Sequence, residues 1–390
     1  MENEKFYEKF GYSILGPAIL GYVTWIDHCL SELGIKKVFF FAREGQFIKR
    51  AFDIISTNDY IETYLYVSRR SLTIPAIATV STVEEFLALH PIYNHISVKT
   101  QFDELNISFD NFRECDWYSA RVLESRFGNL SEQVKSDITN SLFYEVKQQA
   151  KPELEKLCKY LEQSGVNGKI AVVDLGWNGS MQRALGQVLK SAQVDCDMIG
   201  FFLAQREGYV RNKNYIKNKG FLFEYENVSK YESLLLNSGT NLLEVLFCAD
   251  HGMTECYAKR NDRMTPILRE YEYKEEYSKI KICQEAAIHY IVDAHKSNNL
   301  PKSGEEKRLF APMYRVLKRP TRDELKYLGE LRFSDMNGKK QYLATAVNFF
   351  PIRNFVSCFR NSGWKTAFLK RNLHIPGSFT VYALFRKLFH

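Results

Sequence analysis

Residues 172–182 (Val-Val-Asp-Leu-Gly-Trp-Asn-Gly-Ser-Met-Gln) carry the strongest chemical pattern in the sequence. An apolar run ends in an acid, Asp174. Gly176 and Gly179 bracket Trp177 and Asn178, and Ser180, Met181 and Gln182 open an amphipathic segment. A turn of this kind suits a phosphate. Its glycines let backbone N–H groups approach the oxygens, and a helix N-terminus adds a positive partial charge. An ordinary strand–turn–helix with a capping serine accounts for the same residues. Two phosphate-handling classes are excluded. No Gly-Lys-Ser is present to make a P-loop. A phosphatase of the haloacid dehalogenase type needs a second Asp two residues after the first, where Gly176 stands.

Three further clusters share the logic. Residues 41–45 (Phe-Ala-Arg-Glu-Gly) set Arg43, Glu44 and Gly45 behind another apolar run. An arginine there can grip phosphate oxygens through its planar fork. Ser68, Arg69 and Arg70 end a second run, although a solvated arginine pair near a turn reads the same way. Residues 242–252 hold Glu244 inside an apolar stretch and His251 before a glycine. Either is a candidate general base, and a structural ion pair gives the same pattern. A ligand with phosphates at both ends would explain three strand ends that carry arginines, an acid and a glycine turn.

The elements that must position these residues alternate. Residues 17–33 have helical apolar spacing and end at Gly34, and residues 38–42 read as a strand buried on both faces. Residues 46–55 read as a helix and 63–67 as a strand. The strand pattern resumes at 169–174 before a helix at 181–192. Residues 198–204 form another strand, with one more at 220–225. Residues 80–165 read as an inserted helical layer, and residues 233–246 and 265–330 as helical. The fold class expected is α/β with a mainly parallel sheet and inserted and C-terminal helical segments. The organisation expected is an α/β core over 11–260 with the insertion at about 80–165, a helical accessory region over 261–350, and a basic aromatic tail over 351–390. Residues 297–303 are the best internal linker.

Composition narrows the classes. The chain has 390 residues, 45% apolar and 25% charged, which is globular. The longest mainly apolar run, residues 16–26, is too short for a bilayer-spanning helix, and the acidic start is unlike a secretory signal. A cytoplasmic location is expected. The net charge of +7 sits entirely in residues 351–390, which hold seven Lys and Arg and no Asp or Glu. A neutral body is unlike a nucleic-acid binder, whereas the tail suits an anionic membrane or partner. Its last stripe, Val381, Leu384, Phe385 and Leu388 flanked by Arg386 and Lys387, reads either as an interfacial helix or as a helix docked on the body. The eight cysteines lack Cys-x-x-Cys spacing and read as reduced thiols, mostly in the core. The pairs His90 with His95 and His289 with His295 lack the cysteines of a structural zinc site, so no protein-held metal is expected.

The motifs at 15–22, 40–45, 66–70, 173–182 and 243–252, taken as a set, resemble a module of bacterial surface-polysaccharide clusters. The resemblance covers most of residues 11–350. In many members a haloacid dehalogenase-like phosphatase domain precedes this module. Here the chain begins near the start of the second module, so a separate phosphatase is expected. The module is similar to glycan phosphoribosyltransferases, whose fold is related to type I phosphoribosyltransferases. The resemblance implies transfer of 5-phosphoribose from phosphoribosyl diphosphate, with Mg²⁺, to a lipid-linked glycan acceptor during O-antigen or capsule synthesis. It implies a donor site made of Arg43, Glu44, Gly45, Arg69, Arg70 and residues 176–182. It also implies that Asp174 contacts the ribose, and that Glu244 or His251 takes the acceptor proton. The turn departs from the family's usual pair of adjacent acids, since only Asp174 is present. A nucleotide-sugar glycosyltransferase and a non-catalytic assembly partner are the competing readings.

Overall fold

The apolar runs near residues 38 and 172 become inner strands of one parallel sheet. The computed structural model describes residues 2–389 except 57, 106, 272–273, 335–339 and 376. Its strands are β1 (Lys37–Phe41), β2 (Ile61–Leu65), β3 (Gly168–Trp177), β4 (Cys196–Gln205) and β5 (Lys217–Gly220). They lie in the order β2-β1-β3-β4-β5, with every neighbouring pair parallel. Both faces of β1 are covered: Val38 and Phe40 enter one core, Phe39 and Phe41 the other. This is why the strand reads as an unbroken apolar run. The chain moves outward from β1 to β2, then returns to the far side of β1 with β3. An open α/β sheet leaves a crevice beyond its carboxyl ends at such a reversal.

Helices Gly16–Leu33, Gly45–Ile55 and Lys274–Lys296 cover one face, and Arg69–Ile77, Glu132–Gln163 and Ser180–Ser191 the other. The inserted helical layer has a core of its own, built on Phe86, Phe102, Trp117 and Phe143. Tyr22 ties the first face to the sheet. Its buried hydroxyl lies 2.7 Å from the Asp174 carbonyl and 2.9 Å from that of Phe201, and donates to them. Tyr22→Phe leaves both carbonyls without that donor, so urea unfolding should show a loss of about 1–3 kcal/mol. An unchanged midpoint would contradict this role.

Four sequence expectations need correction. β3 runs on through Gly176 and Trp177, so the turn shrinks to Asn178 and Gly179. The last parallel strand is Lys217–Gly220, before the apolar residues expected to form it. Residues 254–268 form an antiparallel hairpin, β6 (Thr254–Arg260) and β7 (Arg263–Leu268), whose tip lies at the boundary expected after 260. All eight cysteines are free thiols, but only Cys29 and Cys283 are buried.

The tail docks on the body. Phe355, Trp364, Phe368, Phe379 and Tyr382 join the same core as Tyr7, Val38 and Phe310, so parts of all three expected segments share one interior. Three of its seven basic residues, Lys365, Lys370 and Arg371, are used internally. Lys365 donates to the carbonyls of Phe359, Arg360 and Ser362 at 2.7–2.8 Å, closing the Ile352–Asn361 helix. Burial, with Arg386 nearby, pushes the Lys365 ammonium down to about 8. Lys370 bonds the Pro320 carbonyl, and Arg371 bonds Glu330 and the Ala344 carbonyl. In the last stripe Val381 packs on the shared core and Phe385 on Phe359 of the tail's own first helix, whereas Leu384 is 53% exposed. The side chains of Lys387 and Leu388 lie outside the described residues. Among the described residues, no helix is long and apolar enough to cross a membrane.

Candidate functional site

The carboxyl ends of β1, β2 and β3 bring Arg43, Glu44, Arg69 and Asp174 to one edge of the sheet. At the end of β1, Arg43 and Glu44 form the turn into the Gly45–Ile55 helix, and the Glu44 carboxylate accepts the Arg43 backbone N–H at 3.3 Å. Gly45 is needed by close approach, because a Cβ there would lie 2.8 Å from the Phe40 carbonyl carbon. On β3, level with the carboxyl end of β1, the Asp174 carboxylate is buried close to the backbone N–H groups of Leu175 and Gly176. Gly176 has φ +125°, and a Cβ there would meet the Ala204 carbonyl oxygen at 2.8 Å. The peptide bonds Ala42–Arg43 and Gly176–Trp177 are both cis.

Helix Thr240–Phe247 carries Glu244 into this cluster, where its carboxylate accepts the Trp177 indole N–H at 2.8 Å. Arg206, just past β4, adds a third guanidinium. Its backbone N–H bonds the Trp177 carbonyl at 2.9 Å, and its Nε bonds Asn237 at 2.6 Å. The cluster thus sets Asp174, Glu44 and Glu244 among Arg43, Arg69 and Arg206. Burial raises Asp174 well above the ordinary carboxylate range, and Glu44 and Glu244 add to the rise. Burial and the Glu44 charge raise Glu244, while the Trp177 hydrogen bond, Arg206 and Arg69 work the other way. For Arg43, burial opposes the charge, but Glu44, Cys248, Tyr271 and Glu244 outweigh it and hold the guanidinium ionised. Burial lowers Arg206, and burial with Arg69 nearby pushes His90 down to about 4.

His251 sits on the rim. Its Nε2 is 2.7 Å from the Tyr64 hydroxyl and its Nδ1 2.8 Å from the Gly252 carbonyl oxygen. A nitrogen facing a carbonyl must carry the proton, so in neutral His251 Nε2 accepts from Tyr64 and has no free lone pair. Glu244 is therefore the better placed base. Gln46 fixes the loop from the other side, donating to Asp250 at 2.9 Å.

Other expected donor residues turn elsewhere. Arg70 reaches Glu153 at 3.7 Å, because adjacent helical positions point in directions about 100° apart. Gln182 donates to the Lys217 carbonyl at 2.8 Å, and Met181 packs in the second core. Asn178 packs against Gly208, with its buried Oδ1 unpartnered. The turn keeps its anion-binding chemistry in the backbone. Gly179 (φ +73°) precedes the Ser180–Ser191 helix, no side chain caps it, and Arg183 makes the first turn's bond to the Gly179 carbonyl. The N–H groups of Ser180, Met181 and Gln182 face outward from the helix end. Ser180 is half-buried beside them.

Arg206, Tyr64 and Tyr271 are site residues that the sequence reading missed. Arg206 was findable, because it follows an apolar strand just as Arg43 and Arg69 do. Among the described residues, no three His, Cys, Asp or Glu side chains gather closely enough to hold a metal ion. No family model matches the chain, and no curated protein matches it.

Proposed function

We propose that the chain is a glycosyltransferase that moves 5-phosphoribose from phosphoribosyl diphosphate to a glycan acceptor, on a fold related to type I phosphoribosyltransferases. One observation carries the reading: at the sheet's reversal point, Arg43, Arg69, Asp174 and Glu244 gather at one end of β1, β2 and β3, close enough for their charges to act within the cluster. Strand ends scattered around the molecule would have removed its basis.

The 5-phosphate would rest on the outward N–H groups at residues 180–182, with the Ser180 hydroxyl beside them. The diphosphate would meet Arg43, Arg69 and Arg206. Asp174 would contact the ribose hydroxyls and favour positive charge on the sugar ring. Mg²⁺ fits this arrangement. Burial and neighbouring carboxylates, Glu44 first among them, lift Asp174 and Glu244, and a cation on the diphosphate would favour their ionised forms. Mg²⁺ is ordinarily held by one or two carboxylates plus substrate oxygens, and Glu44 and Asp174 would supply those carboxylates. When bound, it supplies charge neutralisation to the leaving diphosphate. The bond from C1 to the diphosphate oxygen breaks, its electron pair leaves with the diphosphate, and the acceptor oxygen bonds C1. The acceptor proton passes to Glu244. A separate phosphatase would then remove the 5-phosphate.

Titration calorimetry with phosphoribosyl diphosphate and with nucleotide sugars tests the reading. Tight Mg²⁺-dependent binding of the first is expected, and binding of a nucleotide sugar alone would overturn it. Arg43→Ala should lower kcat/KM for the donor by about 10²–10³-fold, the usual effect of deleting one donor that stabilises developing charge. Steady-state kinetics against donor concentration would read it. Arg43→Lys should recover part of the loss, since lysine keeps the charge without the fork.

The acceptor is taken to be lipid-linked, with the C-terminal segment resting on an anionic membrane surface. Outward apolar groups there are Phe349, Phe350 and Ile352, exposed beside Arg353 and Arg360. Phe350→Ser should lower co-sedimentation with phosphatidylglycerol vesicles, and neutral phosphatidylcholine vesicles should bind the native chain weakly. Equal binding to both vesicle types would contradict a charge-assisted contact.

A further inference from the structure

The cleft beside Arg43, Glu44 and Glu244 continues past them, and its other wall has no part in donor binding. That wall is Tyr271, Glu276, Tyr277, Arg332 and Phe333, and the cleft they share with Arg43 and Glu244 has a volume of about 60 Å³, room for several waters. Glu276, in the first turn of the Lys274–Lys296 helix, is only 8% exposed. Its Oε1 accepts from Arg332 Nε, while its Oε2 is buried and has no hydrogen-bond partner. A buried carboxylate oxygen without a donor is costly, which marks this atom as awaiting a hydroxyl or N–H from outside the chain. The rings of Tyr271 and Tyr277 meet edge to face, with centroids 5.8 Å apart at 83°, and form an apolar corner beside it.

An acceptor oxygen, a guanidinium and aromatic faces around one space match a polyhydroxylated ring. A sugar offers hydroxyl donors to Glu276, hydroxyl acceptors to Arg332, and a C–H face to the tyrosine rings. A diphosphate does not fit, since the buried carboxylate would repel it. We propose that this wall is the acceptor subsite and binds a pyranose residue of the glycan, holding its reacting hydroxyl toward Glu244. Naming the sugar as the acceptor rests on the transferase reading above. The sugar subsite itself rests on Glu276 and the tyrosine corner.

Saturation-transfer NMR on the full chain tests it. The probes are the methyl glycosides of glucose, galactose, mannose, rhamnose and N-acetylglucosamine, with phosphoribosyl diphosphate titrated separately. At least one glycoside should give transfer to its ring protons. Glu276→Gln and Tyr277→Ala should each weaken that signal at least tenfold, while donor affinity changes less than twofold. Should Glu276→Gln fail to fold, Tyr277→Ala carries the test. Unaltered glycoside signals in the folded variants, or no signal from any probe in a chain that binds the donor, overturn the subsite. Glycoside binding lost with Glu276 in a chain that ignores the donor leaves the subsite standing and removes the transferase reading.

Discussion

Glu244→Gln is expected to reduce transfer by about 10²–10⁴-fold, the range of a general base, with little change in donor affinity. Glutamine keeps a side-chain oxygen to accept the Trp177 indole N–H, so the local packing survives. What it loses is the ability to hold the acceptor proton. The pH profile supplies an independent reading. Glu244 works as a base only when ionised, and burial together with the Glu44 charge lifts its pKa above the ordinary carboxylate value. The rate should therefore climb with pH along a limb displaced upward from the usual carboxylate range, and that limb should vanish in Glu244→Gln. Measuring kcat/KM from pH 5 to pH 9 in both proteins decides the point. A variant that retains full activity and the same limb would hand the role to another group, and Tyr64 with His251 is next in line.

The second large effect is on stability. Trp364→Ala should cost about 3–5 kcal/mol in chemical unfolding, the usual result of emptying a buried tryptophan site. Trp364 is fully buried, and its backbone N–H bonds the Leu343 carbonyl at 2.8 Å. The neighbouring Lys365 N–H bonds the Ser238 carbonyl at 2.6 Å. The indole lies against Gly239, where a Cβ would be 3.1 Å from its Cδ1. Gly239 directly precedes the helix that carries Glu244. The substitution should therefore lower transfer as well as stability, and restoring stability with an osmolyte should restore only part of the rate. A loss below about 1 kcal/mol, the scale of a surface substitution, would show that the tail is an appendage and not part of the interior.

The sheet was legible where burial dominated. β1 and the first half of β3 are apolar on both faces, so their sequence announces them. Legibility failed where backbone geometry outranked side-chain pattern. Gly176 looks like a loop residue, yet it pairs with Ala204 inside β3, at a place too tight for a Cβ. β5 is an edge strand with little apolar content, so the buried Phe221, Leu222 and Phe223 just beyond it drew the expected strand to the wrong place. The β6–β7 hairpin did leave a trace. Asn261 and Asp262 sit at its tip with φ +47° and +60°, which a two-residue hairpin turn of type I′ requires and which such residues tolerate best. Within the site, the strand ends identified Arg43, Arg69 and Asp174. Sequence adjacency misled at Arg70 and Gln182, because neighbours on a helix diverge and only three-dimensional packing decides which one faces the crevice.

The shared interior also bears on how the chain is made. The five parallel strands are complete once residue 220 has been synthesised, but the interior continuous with one of their faces is completed only by Trp364, Phe368 and Tyr382. At about 5–20 residues per second, on the order of ten seconds or more separates the two events on a ribosome. Throughout that interval the apolar residues that the tail will cover stay exposed, the kind of surface for which chaperones exist.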